Sequence, residues 1–187
     1  LTDEMRALPA YSMTWEDNQQ TIASRLKAAG YQTFVTGKWG IGGIGSNLPH
    51  RFGFDRSWVL DSTGSSNYRA KSYLPQYLEV EWFEDGERVD LPDDFYSSRN
   101  IVDKMIEYVE EADRDRPFFG YLAFQAVHIP VQVSREYIDK YNGVFDRGWD
   151  VMREERRQKA IELGLVPQST RSSAGAYNDR SWDSLSD

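Results

Sequence analysis

Two residues stand where their chemistry could be used. Lys38 lies in the run Gly37-Lys38-Trp39-Gly40-Ile41-Gly42, and His128 lies in Ala126-Val127-His128-Ile129-Pro130. A lysine where a strand ends and a glycine-rich loop begins can meet an anion at the rim of an α/β sheet, where such folds place their sites. A histidine just beyond an apolar strand, with a proline close behind it, can give a proton to an oxyanion. Both point to work on an anionic group. Plainer readings stay open from these residues alone: the lysine stem can lie along the neighbouring tryptophan, and the imidazole can be satisfied by backbone.

The flanking segments must position these two. Asp17 with Gln20 reads as the start of a helix with Ile22, Leu26 and Ala29 on its apolar side, ended by Gly30. Tyr31 to Thr36 then reads as a strand delivering Lys38. Ser97 or Ser98 can cap a second helix carrying Ile101, Val102, Met105, Ile106 and Val109. Phe118 to Phe124 follows as a near-continuous apolar strand of the kind buried on both faces, with His128 beyond its carboxyl end. Two helix-then-strand units, each delivering a polar residue, predict an open α/β sheet with its site along one edge.

Between them, residues 37 to 77 show no sustained period, and so long a connection usually builds a site. Within it, Ser65, Ser66 and Asn67 could bind a polar leaving group or could belong to a solvated glycine-serine loop. Asp85-Gly86 predicts a peripheral β-hairpin over 78–91 with Trp82 on its half-buried face. Residues 134–141 and 149–163 read as helices. Residues 168–187, rich in serine and polar residues, read as a mobile segment.

With 187 residues, 40% of them hydrophobic, the chain is large enough for one domain with a sizeable core. A net charge of −8 argues against nucleic acid, and no run approaches the length of a membrane span. The chain has no cysteine, which excludes disulfides and thiolate metal sites within it.

The ordered set of Thr21 to Tyr31, the Lys38 run, Arg51-Phe52-Gly53-Phe54-Asp55, Pro117-Phe118-Phe119 with the His128 run, and Tyr137 to Tyr141 resembles the formylglycine-dependent sulfatases, in particular the bacterial arylsulfatases. The resemblance runs from about Asn18 to Asp187. It implies an alkaline-phosphatase-like α/β fold, a mostly parallel central sheet with helices on both faces. The implied activity is hydrolysis of a small-molecule or carbohydrate sulfate ester, with calcium and a formylglycine nucleophile as cofactors, in the cytoplasm or periplasm of a bacterium. It implies that Lys38 bridges the nucleophile and the sulfate, and that His128 contacts the sulfate and helps protonate the leaving oxygen.

The departures are specific. Family members usually carry a histidine where this chain has Gly40, and the only other histidine, His50, reads either as loop packing or as a substitute base. The Cys/Ser-x-Pro-x-Arg nucleophile element and the acidic calcium ligands do not occur, and Asp93-Asp94 does not match them. The expectation is therefore an internal portion of a catalytic domain, residues 1–187. Nucleophile and metal ligands would lie on the remaining portion of the same polypeptide, and the piece would be inactive alone. Arg51 and Asp55 are expected to pair with each other, and Gly40→Ala is expected to be mild. Two other readings stay open: a phosphoesterase or phosphonate hydrolase of the same superfamily, and a non-catalytic homologue.

Overall fold

Phe34 faces one side of a sheet and Val35 the other, and both are buried. That alternation along one strand places a layer on each face. The computed structural model describes residues 2–8, 14–17, 19–41, 45–62, 64–73, 80–172 and 181–185. They fall into two units, residues 1–132 and 133–187.

In chain order the first unit has α1 (Asp3–Arg6), α2 (Ile22–Ala28), β1 (Gln32–Lys38), β2 (Arg56–Asp61), β3 (Glu81–Glu84), β4 (Glu87–Val89), α3 (Ser97–Glu111) and β5 (Phe118–Ala123). The sheet order is β4-β3-β2-β1-β5. β1 pairs in parallel with both β2 and β5, and β3 and β4 continue the sheet antiparallel beyond β2. The expected helix-then-strand units are thus adjacent strands of one sheet. α3 packs on the face of Phe34, Trp58, Leu60 and Trp82, which it meets with Ile101, Met105 and Tyr108. The other face gathers Ala23 of α2 with Val35, Leu48, Phe54, Val59 and Phe83.

Several elements differ from their sequence reading. α2 is capped at Thr21, whose side chain and that of Ser24 cap each other's backbone, and it buries Ala23 while Ile22 faces solvent. α3 is capped at Tyr96; Ser97 is its first residue, and the buried stripe is Ile101, Met105 and Tyr108, with Ile106 outside. β2 lies inside the stretch read as aperiodic: Trp58-Val59-Leu60 is too short a run to show a period, and pairing with β1 makes it a strand. The hairpin spans residues 81–89 and continues the main sheet, so Trp82 is fully buried rather than half-buried. β5 is an edge strand, with Phe118 and Tyr121 half exposed, because no strand flanks it on the outer side among the described residues.

Arg51 and Asp55 do not pair with each other. Arg51 bonds Asp17 and the Ser46 carbonyl. Asp55 pairs with Lys27 at 2.6 Å and accepts from the Thr33 amide at 3.0 Å, stitching the loop before β2 to the start of β1.

The second unit holds α4 (Arg135–Asp139) and α5 (Gly148–Glu162). The described parts of 168–187 are tied to α5. Arg157 donates to the Thr170 carbonyl at 2.8 Å, the Trp182 amide donates to Asp150 at 2.9 Å, and Trp182 stands edge-on to Trp149. Residues 173–180 and 186–187 lie outside the described residues.

Burial pushes the Asp55 carboxyl up, but Lys27 and the Thr33 amide outweigh it and hold the group below its ordinary value. Its ionised form therefore contributes stability that is present above the unfolded-state pKa and is lost as pH falls through the lower folded value. Asp55→Asn should lower the urea midpoint at pH 7 by a small amount, within about 1 kcal/mol because the pair is partly solvated. That difference from wild type should shrink toward zero as the pH is taken below about 4, the ordinary aspartate pKa.

Candidate active site

Parallel pairing sets the geometry. Gly37 lies opposite Ala123 of β5, and Lys38 lies opposite Leu60 of β2. At Gly37, φ is +112° and a Cβ would fall 2.1 Å from the Ala123 carbonyl oxygen, so only glycine lets β5 run this close. Lys38 ends β1 and His128 follows the end of β5, which brings both to the carboxyl edge of the sheet on neighbouring strands.

Lys38 is anchored through the residue after it. The Trp39 amide donates to the Leu60 carbonyl at 2.9 Å, and the Trp39 indole N–H donates to the Asn47 carbonyl at 2.6 Å. The indole stands edge-on to Trp15 and Phe54. Trp39 is thereby committed to the α2 face, and Lys38 belongs to the opposite one. At the amino edge the cations are paired: Arg56 with Asp85 and Glu111 at 2.7 Å each, and Lys27 with Asp55. Lys38 has no ion-pair partner among the described residues. No aromatic ring lies under its ammonium as a cation–π partner among them either.

His128 is exposed on a turn closed by its own amide donating to the Gln125 carbonyl at 3.0 Å. Its Nδ1 lies 2.9 Å from the Ile129 carbonyl oxygen, which selects the tautomer with the proton on Nδ1 and turns Nε2 outward. The Tyr73 ring lies 5.7 Å away, centroid to centroid.

Ser65, Ser66 and Asn67 are buried, and their polar groups hold that turn in place. The Ser65 amide donates to Gln125 Oε1 at 2.8 Å, and the Asn67 amide and Ser66 hydroxyl both donate to Gln132 Oε1. Asn67 Nδ2 donates to the Pro130 carbonyl at 3.2 Å, and its Oδ1 accepts from the Ser97 hydroxyl at 2.6 Å. This clasp between the start of α3 and the His128 turn was not legible in the sequence, since Gln125 and Gln132 carry no motif.

Gly40 sits on a backbone shaped for glycine. Its φ is +63°, and a Cβ there would lie 2.6 Å from the Ser62 carbonyl oxygen, so the backbone excludes any side chain. The expectation that Gly40→Ala is mild is overturned by that contact. His50 is not a substitute base: its ring packs on Gly86, at the hairpin turn, which the antiparallel β2–β3 register puts at the amino edge. Nor did the sequence reading mark Asp61, the last residue of β2. It is 1% exposed, and its Oδ2 accepts from the Gly45 amide at 2.7 Å. Its only sequence signal is an acid ending an apolar run.

The Sulfatase family model matches residues 9–181. The chain belongs to the sulfatase family. It is 32% identical over 162 residues to an arylsulfatase of Klebsiella aerogenes, covering 86% of this chain and 35% of that protein. It is 31% identical to an uncharacterised sulfatase of Schizosaccharomyces pombe, over 95% of this chain and 33% of the relative. Among solved structures, Ps i-CgsB in complex with k-i-k-neocarrahexaose superposes with a TM-score of 0.56 at 26% identity, over 67% of this chain and 30% of its own. A protein in complex with its substrate D-glucosamine-2-N,6-O-disulfate gives 0.52 at 26% identity, over 69% of this chain and 23% of its own. This chain thus spans about a third of the curated relatives' length, and its sheet with helices on both faces is the alkaline-phosphatase-like arrangement.

Asn67→Ala removes a partner from the Ser97 hydroxyl and from the Pro130 carbonyl, each partly or fully buried. Leaving such groups unsatisfied costs about 1–3 kcal/mol apiece. The variant should unfold at a lower urea concentration, and hydrogen exchange of residues 125–132 should quicken more than that of β1.

Proposed function

We propose that this chain supplies the sulfate-binding lysine and the proton-donating histidine of a sulfuric-ester hydrolase. The observation that carries the reading is the placing of Lys38, without a counter-charge among the described residues, and of His128 on adjacent strand ends of a sulfatase-family sheet. An uncompensated ammonium at the strand end can stabilise charge on the non-bridging sulfate oxygens. His128, with Nδ1 held by the Ile129 carbonyl, offers Nε2 to the leaving oxygen. A protonated imidazole donates there, and that proton balances the charge developing as the ester bond breaks.

The described residues contain no group of three or more acidic, histidine or cysteine side chains able to hold a metal. A hard cation such as calcium takes oxygen ligands, which neither Lys38 nor His128 provides. The described residues do not fit a calcium site. Calcium and the formylglycine nucleophile belong, in this reading, to other parts of the polypeptide, so the 187-residue chain alone should turn over no ester. The substrate class is a sulfate ester, a carbohydrate ester included, supported by the disulfated glucosamine bound to the structural relative.

In the full-length polypeptide, Lys38→Ala and His128→Ala should each lower kcat/KM toward an aryl sulfate by roughly 10²-fold, the scale for losing one positioned electrostatic or acid-base group. Full activity of both variants, or faster turnover of the matching phosphate ester by the wild type, would sink the proposal.

A further inference from the structure

Asp61 is a buried carboxylate for which the reaction above has no use. It ends β2 beside the end of β1, and the Trp39 amide bonds the carbonyl of its neighbour Leu60. Its own carboxylate accepts from the Gly45 amide at 2.7 Å, and the Gly40 amide favours its charge. Gly40 and Gly45 both belong to the glycine-rich segment after Lys38. Gly40 also runs so close to the carbonyl of Ser62, the residue next to Asp61, that a Cβ there would lie 2.6 Å from it. A segment with this many glycines has the largest backbone entropy to lose on being fixed, so something must grip it if Lys38 is to keep one position.

We propose that Asp61 is a positioning residue for Lys38: at the end of β2, beside the end of β1, its carboxylate holds the Gly45 amide and faces the backbone at Gly40, and thereby steadies the strand end that presents the lysine. The proposal rests on the reading of Lys38 as the sulfate-binding cation. A residue serving only stability would not be chosen this way. Burial first, and then the charge of Glu81 opposite it on β3, push the Asp61 carboxyl above its ordinary value, while the Gly45 and Gly40 amides pull the other way. Of the charged groups around it, Glu81 is held by Arg88 of β4 at 3.0 Å, and Lys38 of β1 belongs to the opposite face. A folded-state pKa above the unfolded one means that the ionised form costs stability, a cost absent below the ordinary aspartate pKa and complete once pH exceeds the raised value. That cost fits a carboxylate whose hydrogen bond to the Gly45 amide serves position rather than stability.

The test uses the full-length polypeptide with Asp61→Asn, Lys38→Ala, the double variant, and Glu81→Gln, which keeps the carboxylate. Exchange protection of the Gly40 and Gly45 amides should fall about tenfold in Asp61→Asn, and acylation of Lys38 by an amine-reactive ester should change rate. The urea midpoint at pH 7 should be no lower than wild type. On acidification the wild type should lose this protection above the ordinary aspartate pKa of about 4, and Glu81→Gln should move that loss to lower pH. Asp61→Asn should reduce kcat/KM about tenfold alone and add almost nothing to Lys38→Ala, since residues acting through one another are non-additive. Equal losses in both backgrounds, a urea midpoint that falls in step with activity, or unchanged glycine exchange would each overturn the role. If the polypeptide cleaves no sulfate ester at all, the functional reading falls, and glycine exchange with Lys38 acylation still decides whether Asp61 holds the lysine.

Discussion

The absence of a side chain at Gly37 is the constraint on which the arrangement hangs. β1 and β5 are parallel neighbours distant from each other in the chain, and they approach so closely at Gly37 and Ala123 that a methyl group would overlap the carbonyl oxygen. Parallel pairing carries no local turn to fix its register. This contact pins it, and the register decides that the lysine of one strand and the histidine turn of the other leave the sheet at the same edge.

The two edges then divide the electrostatic work. At the amino edge Arg56 links β2, the hairpin turn and the end of α3, and it lies 4.3 Å above the Tyr108 ring. Lys27 and Asp55 tie α2 to the loop before β2. Those charges are neutralised in pairs and serve assembly. At the carboxyl edge Lys38 is left open among the described residues; neutral side chains, Gln125, Gln132 and Asn67, hold the loop on the histidine side, and the Asp61 carboxylate holds the Gly45 amide on the lysine side. On the histidine side a rim built from neutral donors and acceptors brings no charge to compete with an incoming anion for the lysine.

Much of this was legible in the sequence where one local rule decides it. Asp85-Gly86 announced a hairpin because both residues take positive φ, as that turn demands. β1, β5 and α3 were legible from apolar runs of adequate length. What escaped depends on partners distant in sequence. β2 is three apolar residues among polar ones and becomes a strand only beside β1. Arg51 and Asp55, four residues apart, looked like a pair, yet packing turns them to Asp17 and Lys27. The apolar run of β5 gave its strand character correctly but not its place at the edge, because hydrophobicity reports burial in the whole assembly and not which neighbours supply it. Ser65, Ser66 and Asn67 have the look of surface polar groups free for a ligand, whereas partners contributed by residues 97 to 132 draw them inward.

The edge position of β5 also bears on how the protein must be handled. The strand reads Phe-Phe-Gly-Tyr-Leu-Ala without a charge or a proline. Beside it, Trp15, Ile22, Trp39, Phe54, Phe119 and Tyr121 line an apolar hollow of about 360 Å³. Natural sheets blunt a free edge with lysine, proline or a bulge, and this strand carries neither lysine nor proline. Wherever β5 is left uncovered, during synthesis, after proteolysis or in a truncated product, its unpaired backbone and greasy flank invite a second chain to add to the sheet. Solubility of such species will be limited by concentration well before thermal unfolding intervenes.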